Sequence, residues 1–338
     1  MGSNGTIESD NLRNPAFSPD FTSTRRFSLP GIFHIAIYLL LIAQVVLVVT
    51  GGAVRLTGSG LGCPTWPDCF HGTISPLPHP AQGYHAWIEF GNRLLTGVDL
   101  LILIFVFLAV FTPSIKRVFL LNSDGGGAAL YKRTRNGAII QILGFFAQAV
   151  LGGITVLTHL NPIPVSGHFL LSIYLIFAAH RLLRSVKPQS QVVTSIIVVN
   201  LARALQIVTA LVIVIGTVVT GSGPHAGDIS AKRYGFDPRI VSWFHADMVI
   251  ALISLSIGLY LISRLTLLGK AQTLLNLKVM TFIIVALSQG LIGYVQYFTA
   301  LPELLVGAHM LGACLVWITV CELGTTVCTD GIAMKDFR

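Results

Sequence analysis

Apolar residues run in eight long blocks along the chain, near 31–52, 86–111, 136–157, 164–184, 197–220, 239–265, 275–298 and 303–324. Each block approaches or exceeds the roughly 20 residues a helix needs to cross a hydrocarbon layer about 30 Å thick. A backbone facing lipid has to satisfy its hydrogen bonds within its own segment, so each block predicts a membrane-spanning α-helix. The expected fold class is therefore an all-α membrane protein with eight transmembrane helices.

Composition agrees with that pattern. Of 338 residues, 53% are hydrophobic and 11% charged, against about 25% charged in an ordinary soluble domain. The lipid bilayer is the expected solvent. The net charge of +8 does not point to nucleic acid, because the basic residues are scattered and form no stripe with stacking aromatics. They sort by connection instead. Arg13, Arg25, Arg26, Lys116, Arg117, Lys132, Arg133, Arg135, Arg181, Arg184, Lys187, Arg203, Arg264, Lys270, Lys278, Lys335 and Arg338 make seventeen on one side, and Arg55, Arg93, Lys232, Arg233 and Arg239 make five on the other. The positive-inside rule then predicts a multi-pass protein of the cell membrane with cytoplasmic N- and C-termini. Residues 1–30, rich in Ser, Asn and Thr, read as a disordered cytoplasmic tail, and 326–338 as a second cytoplasmic tail. The first block exceeds the h-region of a signal peptide and no clear small-residue cleavage site follows, so it is expected to stay as the first helix.

The chain also repeats itself. Gln148, Gly152, Thr158, Leu160, Val165, His168 and Leu170 recur 141 positions later as Gln289, Gly293, Thr299, Leu301, Val306, His309 and Leu311. Thr57-Gly58-Ser59-Gly60 after the first block recurs as Thr220-Gly221-Ser222-Gly223 after the fifth. Residues 31–190, with an external cysteine loop at 53–85, and residues 191–325 read as two four-helix bundles entering the membrane in the same direction. Such a parallel repeat places its pseudo-twofold axis along the membrane normal. A bundle interior is where a flat cofactor sits between facing helices.

Histidines give this architecture its chemistry. His168 and His309 take equivalent places near the outer ends of the fourth and eighth helices, and His245 lies near the outer end of the sixth. The second helix carries Asn92 at the corresponding depth. Histidines on alternate helices of one bundle are placed to take both axial positions of a haem iron, which assigns His245 and His309 as a ligand pair. The plainer reading of any one of them is an interfacial residue with a satisfied hydrogen bond. Zinc lacks a third and fourth ligand at this depth. Glu89 is either the ion-pair partner of Arg93, one helical turn on, or a proton-handling group beside a substrate. Asp99 and Asp247 carry either a direct role or bonds to neighbouring helices. Cys63 and Cys69 face an oxidising compartment and read as a disulfide or as two free thiols. His71 and His79 read as solvent contacts, while His85 shares the helical face of Asn92.

The strings Thr57-Gly58-Ser59-Gly60-Leu61-Gly62-Cys63-Pro64-Thr65-Trp66-Pro67-Asp68-Cys69, Glu89-Phe90-Gly91-Asn92-Arg93 and Thr220-Gly221-Ser222-Gly223-Pro224-His225-Ala226-Gly227-Asp228 resemble the heme A synthase family. With the repeated histidines, the resemblance covers roughly residues 33–325. It implies a membrane oxidoreductase that oxidises a ring methyl of heme O to the formyl group of heme A for cytochrome c oxidase. By that resemblance, His245 and His309 hold a heme b cofactor through its iron. Glu89 and His168 map onto the catalytic residues of the substrate half. Beside that mapping, Asn92 and Arg93 are expected with His168 to bind the substrate haem, Arg93 as a partner for a haem propionate. Cys63 and Cys69 map onto the family's external cysteine pair. The implied partners are heme O, a heme O synthase and an electron donor the sequence does not identify, with a homo-oligomer compatible with the pattern.

One departure from the family is visible. Many members carry a second histidine three residues after the glutamate, where this chain has Asn92. An amide is a poor iron ligand, so the first half supplies only His168 unless His85 or another group compensates. The main alternative reading is a membrane cytochrome b-like quinol electron-transfer protein. It fits less well, because each helix here carries one histidine near one face. A cofactor-free transporter is a third class, disfavoured by the parallel repeat. The roles of His225 and Asp228 stay open on sequence alone.

Overall fold

The computed structural model describes residues 12–13, 28–70, 72–76, 83–121, 126–187 and 190–329. The remainder of both expected tails, including Arg25, Arg26, Lys335 and Arg338, and the loop histidines His71 and His79 lie outside the described residues. Among the described residues the chain forms helices α1 (Leu29–Leu56), α2 (His85–Val110), α3 (Pro113–Leu120), α4 (Gly127–Leu157), α5 (Pro162–Val186), α6 (Ile196–Ser222), α7 (Pro238–Thr266), α8 (Gly269–Phe298) and α9 (Glu303–Thr326). All except α3 are long and apolar enough to cross a membrane, in agreement with the eight apolar blocks. Helix starts follow the local sequence. Ser28, Asn161 and Asp237 cap α1, α5 and α7 with side-chain oxygens, and a proline stands in the first turn of each.

Two features go beyond the hydrophobic pattern. Helix α3 is a two-turn segment capped by Thr112, with Ile115 and Phe119 fully buried; its Lys116 and Arg117 break the apolar run that would have announced it. The strands β1 (Leu12–Arg13), β2 (Gln191–Val193) and β3 (Val327–Cys328) form a small sheet in the order β1-β2-β3. Leu12 pairs antiparallel with Val192, and Val192 pairs parallel with Val327. Leu12–Arg13 belong to the segment expected to be disordered, yet here they join the linker between α5 and α6 to the end of α9.

The long helices pack as two closed rings. In the first, α1 lies against α2 and α5, and α4 against α2 and α5; in the second, α6 lies against α7 and α9, and α8 against α7 and α9. Helices α2 and α5 therefore face each other diagonally, as do α7 and α9. The rings meet where α9 packs on α1 and α5, and α5 on α6. Lipid tails are as apolar as leucine, so helices in a bilayer are held by close packing and polar ties. Gln44 of α1 donates to Gln141 of α4 at 2.7 Å, and Gln141 donates to the Leu175 carbonyl of α5 at 2.9 Å. Between the rings, the Trp317 indole of α9 donates to the Ile173 carbonyl of α5 at 3.0 Å.

The strongest tie between the rings lies at the end of α9 remote from the cysteine loop. Glu322 receives His180 Nε2 at 3.0 Å and Lys278 Nζ at 2.8 Å, with Arg184 at 3.6 Å. His180 and Arg184 belong to α5, while Lys278 and Glu322 belong to α8 and α9. One carboxylate thus neutralises basic groups from both rings.

At the opposite ends of the helices, two turns share an unusual backbone. His159 and Leu160 (φ 52° and 57°) join α4 to α5, and Ala300 and Leu301 (φ 61° and 60°) join α8 to α9. These are non-glycine residues in the left-handed region, 141 positions apart like the repeat itself. The same bonds close both turns, from Leu160 N–H to the Thr155 carbonyl and from Leu301 N–H to the Gln296 carbonyl, each at 2.8 Å. Each left-handed residue costs about 1–2 kcal/mol, and the same pair of left-handed residues leads into α5 and into α9.

Two outcomes test this account. Ala300→Gly removes Cβ strain at an exposed position and raises stability by about 0.5–1 kcal/mol, read as a higher thermal midpoint in detergent; an unchanged or lower midpoint contradicts the strain. Glu322→Leu leaves three basic groups facing one another and lowers stability by on the order of 2 kcal/mol, with Lys278→Leu partly restoring it. No loss in Glu322→Leu contradicts the tie.

Candidate functional site

Four polar residues stand at similar depths within their own helices. His168 and His309 each lie six residues into α5 and α9, while His245 and Asn92 lie seven residues into α7 and α2. At 1.5 Å per residue each is about 9–11 Å below the start of its helix. His245 and His309 occupy the diagonal helices of the second ring. His168 and Asn92 occupy the diagonal helices of the first. The expected pair thus stands on two helices of one ring, and Asn92 takes the helical position that His245 takes in α7.

The three imidazoles are prepared in the same way. Gly152, Gly216 and Gly293, each on the preceding helix, leave room for the ring: a Cβ there would stand 3.1 Å, 3.3 Å and 3.3 Å from Cε1 of His168, His245 and His309. Any larger residue would push the imidazole into the bundle. Nδ1 of each histidine is buried without a hydrogen-bond partner. The main-chain carbonyls of Val212 and Gln289 lie towards the rings of His245 and His309, short of hydrogen-bond geometry at Nδ1. With Nδ1 packed against the neighbouring helix, Nε2 is the nitrogen left open.

The backbone beneath two of these rings is also fixed. Gln148 Nε2 donates to the His168 carbonyl at 3.1 Å, and Gln289 Nε2 donates to the His309 carbonyl. Gln148 also bonds the Ser172 hydroxyl. The recurring Gln and Gly, four residues apart, therefore have distinct tasks: one grips the turn that bears the histidine, the other admits its ring. Val212 stands where a glutamine would serve His245. The recurring pairs were visible in the repeat, but the glycine opposite His245 was not, because no aligned string covers α6 at that point.

Helix α2 presents a polar stripe with His85, Glu89, Asn92, Thr96 and Asp99 at alternating spacings of four and three residues. Its upper part fastens the cysteine loop. Cys63 and Cys69 form a disulfide and are both fully buried. Glu89, 6% exposed, accepts from Cys63 N–H at 2.8 Å and from Arg93 at 2.7 Å. Arg93 also donates to the carbonyls of Cys63, Thr65, Pro67 and Asp68 at 3.1–3.3 Å. Both terminal nitrogens of Arg93 are thereby engaged on the loop, so the structural partnership of Glu89 and Arg93 is present. Trp66 extends the loop onto α4, where a Cβ on Gly153 would stand 2.7 Å from its ring.

The other polar residues divide clearly. His85 Nδ1 bonds the Ser59 hydroxyl at 2.8 Å, two turns above Asn92. The Asn92 amide oxygen accepts from the Thr50 hydroxyl of α1 at 2.8 Å. Asp99 is buried, with Oδ1 unpartnered, and Asp247 is exposed on α7. His225 Nε2 bonds the Leu301 carbonyl at 2.8 Å, and Arg55 of α1 donates to the His225 carbonyl at 2.6 Å. His225 and Arg55 therefore stitch the two rings together above the histidine level. Asp228 Oδ1 accepts from the Ser230 N–H at 2.8 Å within its own loop. Sequence reasoning missed Glu322, whose role depends on helices far apart in the chain, and Thr50, whose partner is 42 residues away.

Comparison with known proteins supplies what geometry alone does not. Proteins named heme A synthase are similar over parts of the chain. That of Geobacillus thermodenitrificans is 31% identical over 150 residues, 42% of this chain and 40% of its own length. That of Shewanella oneidensis is 28% identical over 195 residues, 54% and 53%, and that of Lysinibacillus sphaericus 35% over 118 residues, 34% and 32%. The matches thus span between about a third and about half of these relatives. A family model described as cytochrome oxidase assembly protein matches residues 34–321. From within α1 to within α9, across both rings and all three histidines, this chain belongs to the cytochrome oxidase assembly protein family.

Proposed function

We propose that the chain is a heme A synthase, oxidising a ring methyl of heme O to the formyl group of heme A. The observation that carries this reading is the common preparation of His168, His245 and His309 at similar depths within their own helices. Family membership and the names of its relatives support it. On this reading the second ring holds a b-type haem and the first ring holds the haem being modified, the two bundles being related by a pseudo-twofold axis along the membrane normal. Helices α1, α2, α4 and α5 form the first bundle and α6, α7, α8 and α9 the second, with the cysteine loop outside the cell membrane and both termini in the cytoplasm.

The residues fit an iron porphyrin. His245 and His309 sit on diagonal helices, with glycines that let each ring stand against the neighbouring helix and with Nε2 free of a partner. When bound, the b-type haem supplies an iron that accepts and passes on single electrons. The chain's own contribution is orientation. Gln289 holds the carbonyl of His309 and so ties the turn that bears this imidazole to α8, while Gly293 and Gly216 leave room for the rings of His309 and His245. In the first half, His168 with Gln148 and Gly152 provides the equivalent grip on heme O. Glu89 is the group assigned to take up a proton at its carboxylate beside the substrate, with Arg93 and the Cys63 N–H fixing where that carboxylate stands. Burial of this level between helices and beneath the clamped loop keeps bulk water from the reacting edge. A heme O synthase as donor of the substrate, a separate electron donor and association with a second copy complete the proposal.

Two substitutions test the assignments. His309→Ala removes one wall of the second-ring site and strips most endogenous b-type haem from the purified protein, measured by pyridine haemochrome; undiminished haem refutes the ligand pair. Glu89→Ala retains that haem while heme A and hydroxylated intermediates disappear from pigment extracts of cells that also supply heme O. If product still accumulates, Glu89 serves only to anchor the loop.

A further inference from the structure

The two rings treat their diagonals differently. In the second ring the residue seven positions into α7 is His245, on the helix diagonal to that of His309. In the first ring the residue seven positions into α2 is Asn92, on the helix diagonal to that of His168. His168 shares five features with His309: the glycine cradle, the glutamine on the carbonyl, the depth in its helix, the left-handed turn before the helix and an Nδ1 without a hydrogen-bond partner. One side of the first ring is therefore built like an axial-ligand site. The opposite side is not.

Neighbouring groups do not repair the difference. An amide is a weak partner for haem iron beside the imidazole, thiolate and thioether groups that proteins use, and the Asn92 amide is already engaged by the Thr50 hydroxyl at 2.8 Å. His85 stands seven residues nearer the helix start, about 10 Å away along the axis, and its ring is bound to Ser59. Glu89 is one turn above Asn92 and both its oxygens are occupied, by Cys63 N–H and by Arg93. Each of these bonds would have to break, and the loop clamp with them, before either side chain descended to the level of His168.

We infer that the first-ring haem is held by the protein through His168 alone, and that its second axial position, on the side of Asn92, takes a small exogenous ligand such as carbon monoxide. This deepens the functional reading and rests on it. It assigns the first ring an iron open to ligands and the second ring an iron closed to them by His245 and His309. No bond in the polypeptide changes; a neutral ligand adds to ferrous iron and leaves again.

The test uses the full chain, purified in detergent, titrated with protohaem, reduced with dithionite and exposed to carbon monoxide. Wild type, Asn92→His, His168→Ala and His309→Ala are compared. The wild type is expected to hold a haem with a carbon monoxide difference spectrum alongside one that does not respond. Asn92→His supplies the missing imidazole: its first-ring haem turns low-spin and its apparent carbon monoxide affinity falls at least tenfold. His168→Ala loses the responsive haem and keeps the silent one. Carbon monoxide binding that is unchanged in Asn92→His, or retained in His168→Ala, overturns the inference. So does a wild type in which no haem responds while the silent haem is present. Failure of the underlying functional reading looks different: no haem whose retention depends on His309.

Discussion

A polar group without a partner in hydrocarbon costs several kcal/mol, and this cost organises the whole molecule. It forces the chain into helices, and it requires that polar side chains inside them be answered by another helix. Gln44 is answered by Gln141, Trp317 by the Ile173 carbonyl, and Glu322 by three basic groups. Against that background the imidazoles of His168, His245 and His309 stand out. Each keeps a buried Nδ1 without a hydrogen-bond partner, six or seven residues into its helix. Iron porphyrin is the partner proposed to make that cost worthwhile.

The structure places its rigid devices around this level. Two matching left-handed turns lead into α5 and α9, glutamines grip the turns that bear His168 and His309, and glycines admit three rings. Above the level, Arg55 and His225 join the rings; at the far end, Glu322 joins them again. The clamp of Glu89 and Arg93 on the disulfide loop makes the lid of the first ring part of α2 itself. Any motion of the loop is thereby coupled to the position of the carboxylate assigned to the reaction.

Much of this was legible in the sequence because membrane insertion is a one-dimensional problem. Eight apolar blocks correspond to eight spanning helices, most ends agreeing within a few residues while α4 begins nine residues and α8 six residues before their blocks, and the 141-residue recurrence singled out Gln148, Gly152 and His168 with their counterparts. Helix α3 escaped because two turns with buried Ile115 and Phe119 bear no membrane signature. The sheet of Leu12–Arg13 with Gln191–Val193 escaped because its strands are two or three residues long and its pairing is entirely non-local. Glu322 escaped for a related reason: its partners come from α5 and α8, and a single carboxylate near a helix end carries no spacing to read. The propionate role of Arg93 was an expectation from family resemblance, whereas its actual hydrogen bonds to the loop depend on a fold of residues 63–69 that spacing does not encode.

Electron paramagnetic resonance of the oxidised, purified wild-type protein tests the central claim most directly. Two imidazoles on one iron give a low-spin ferric signal, and the account predicts that signal from the second ring with no added ligand. A preparation carrying haem with only high-spin iron, or with low-spin iron of a different axial character, would contradict the pairing of His245 with His309.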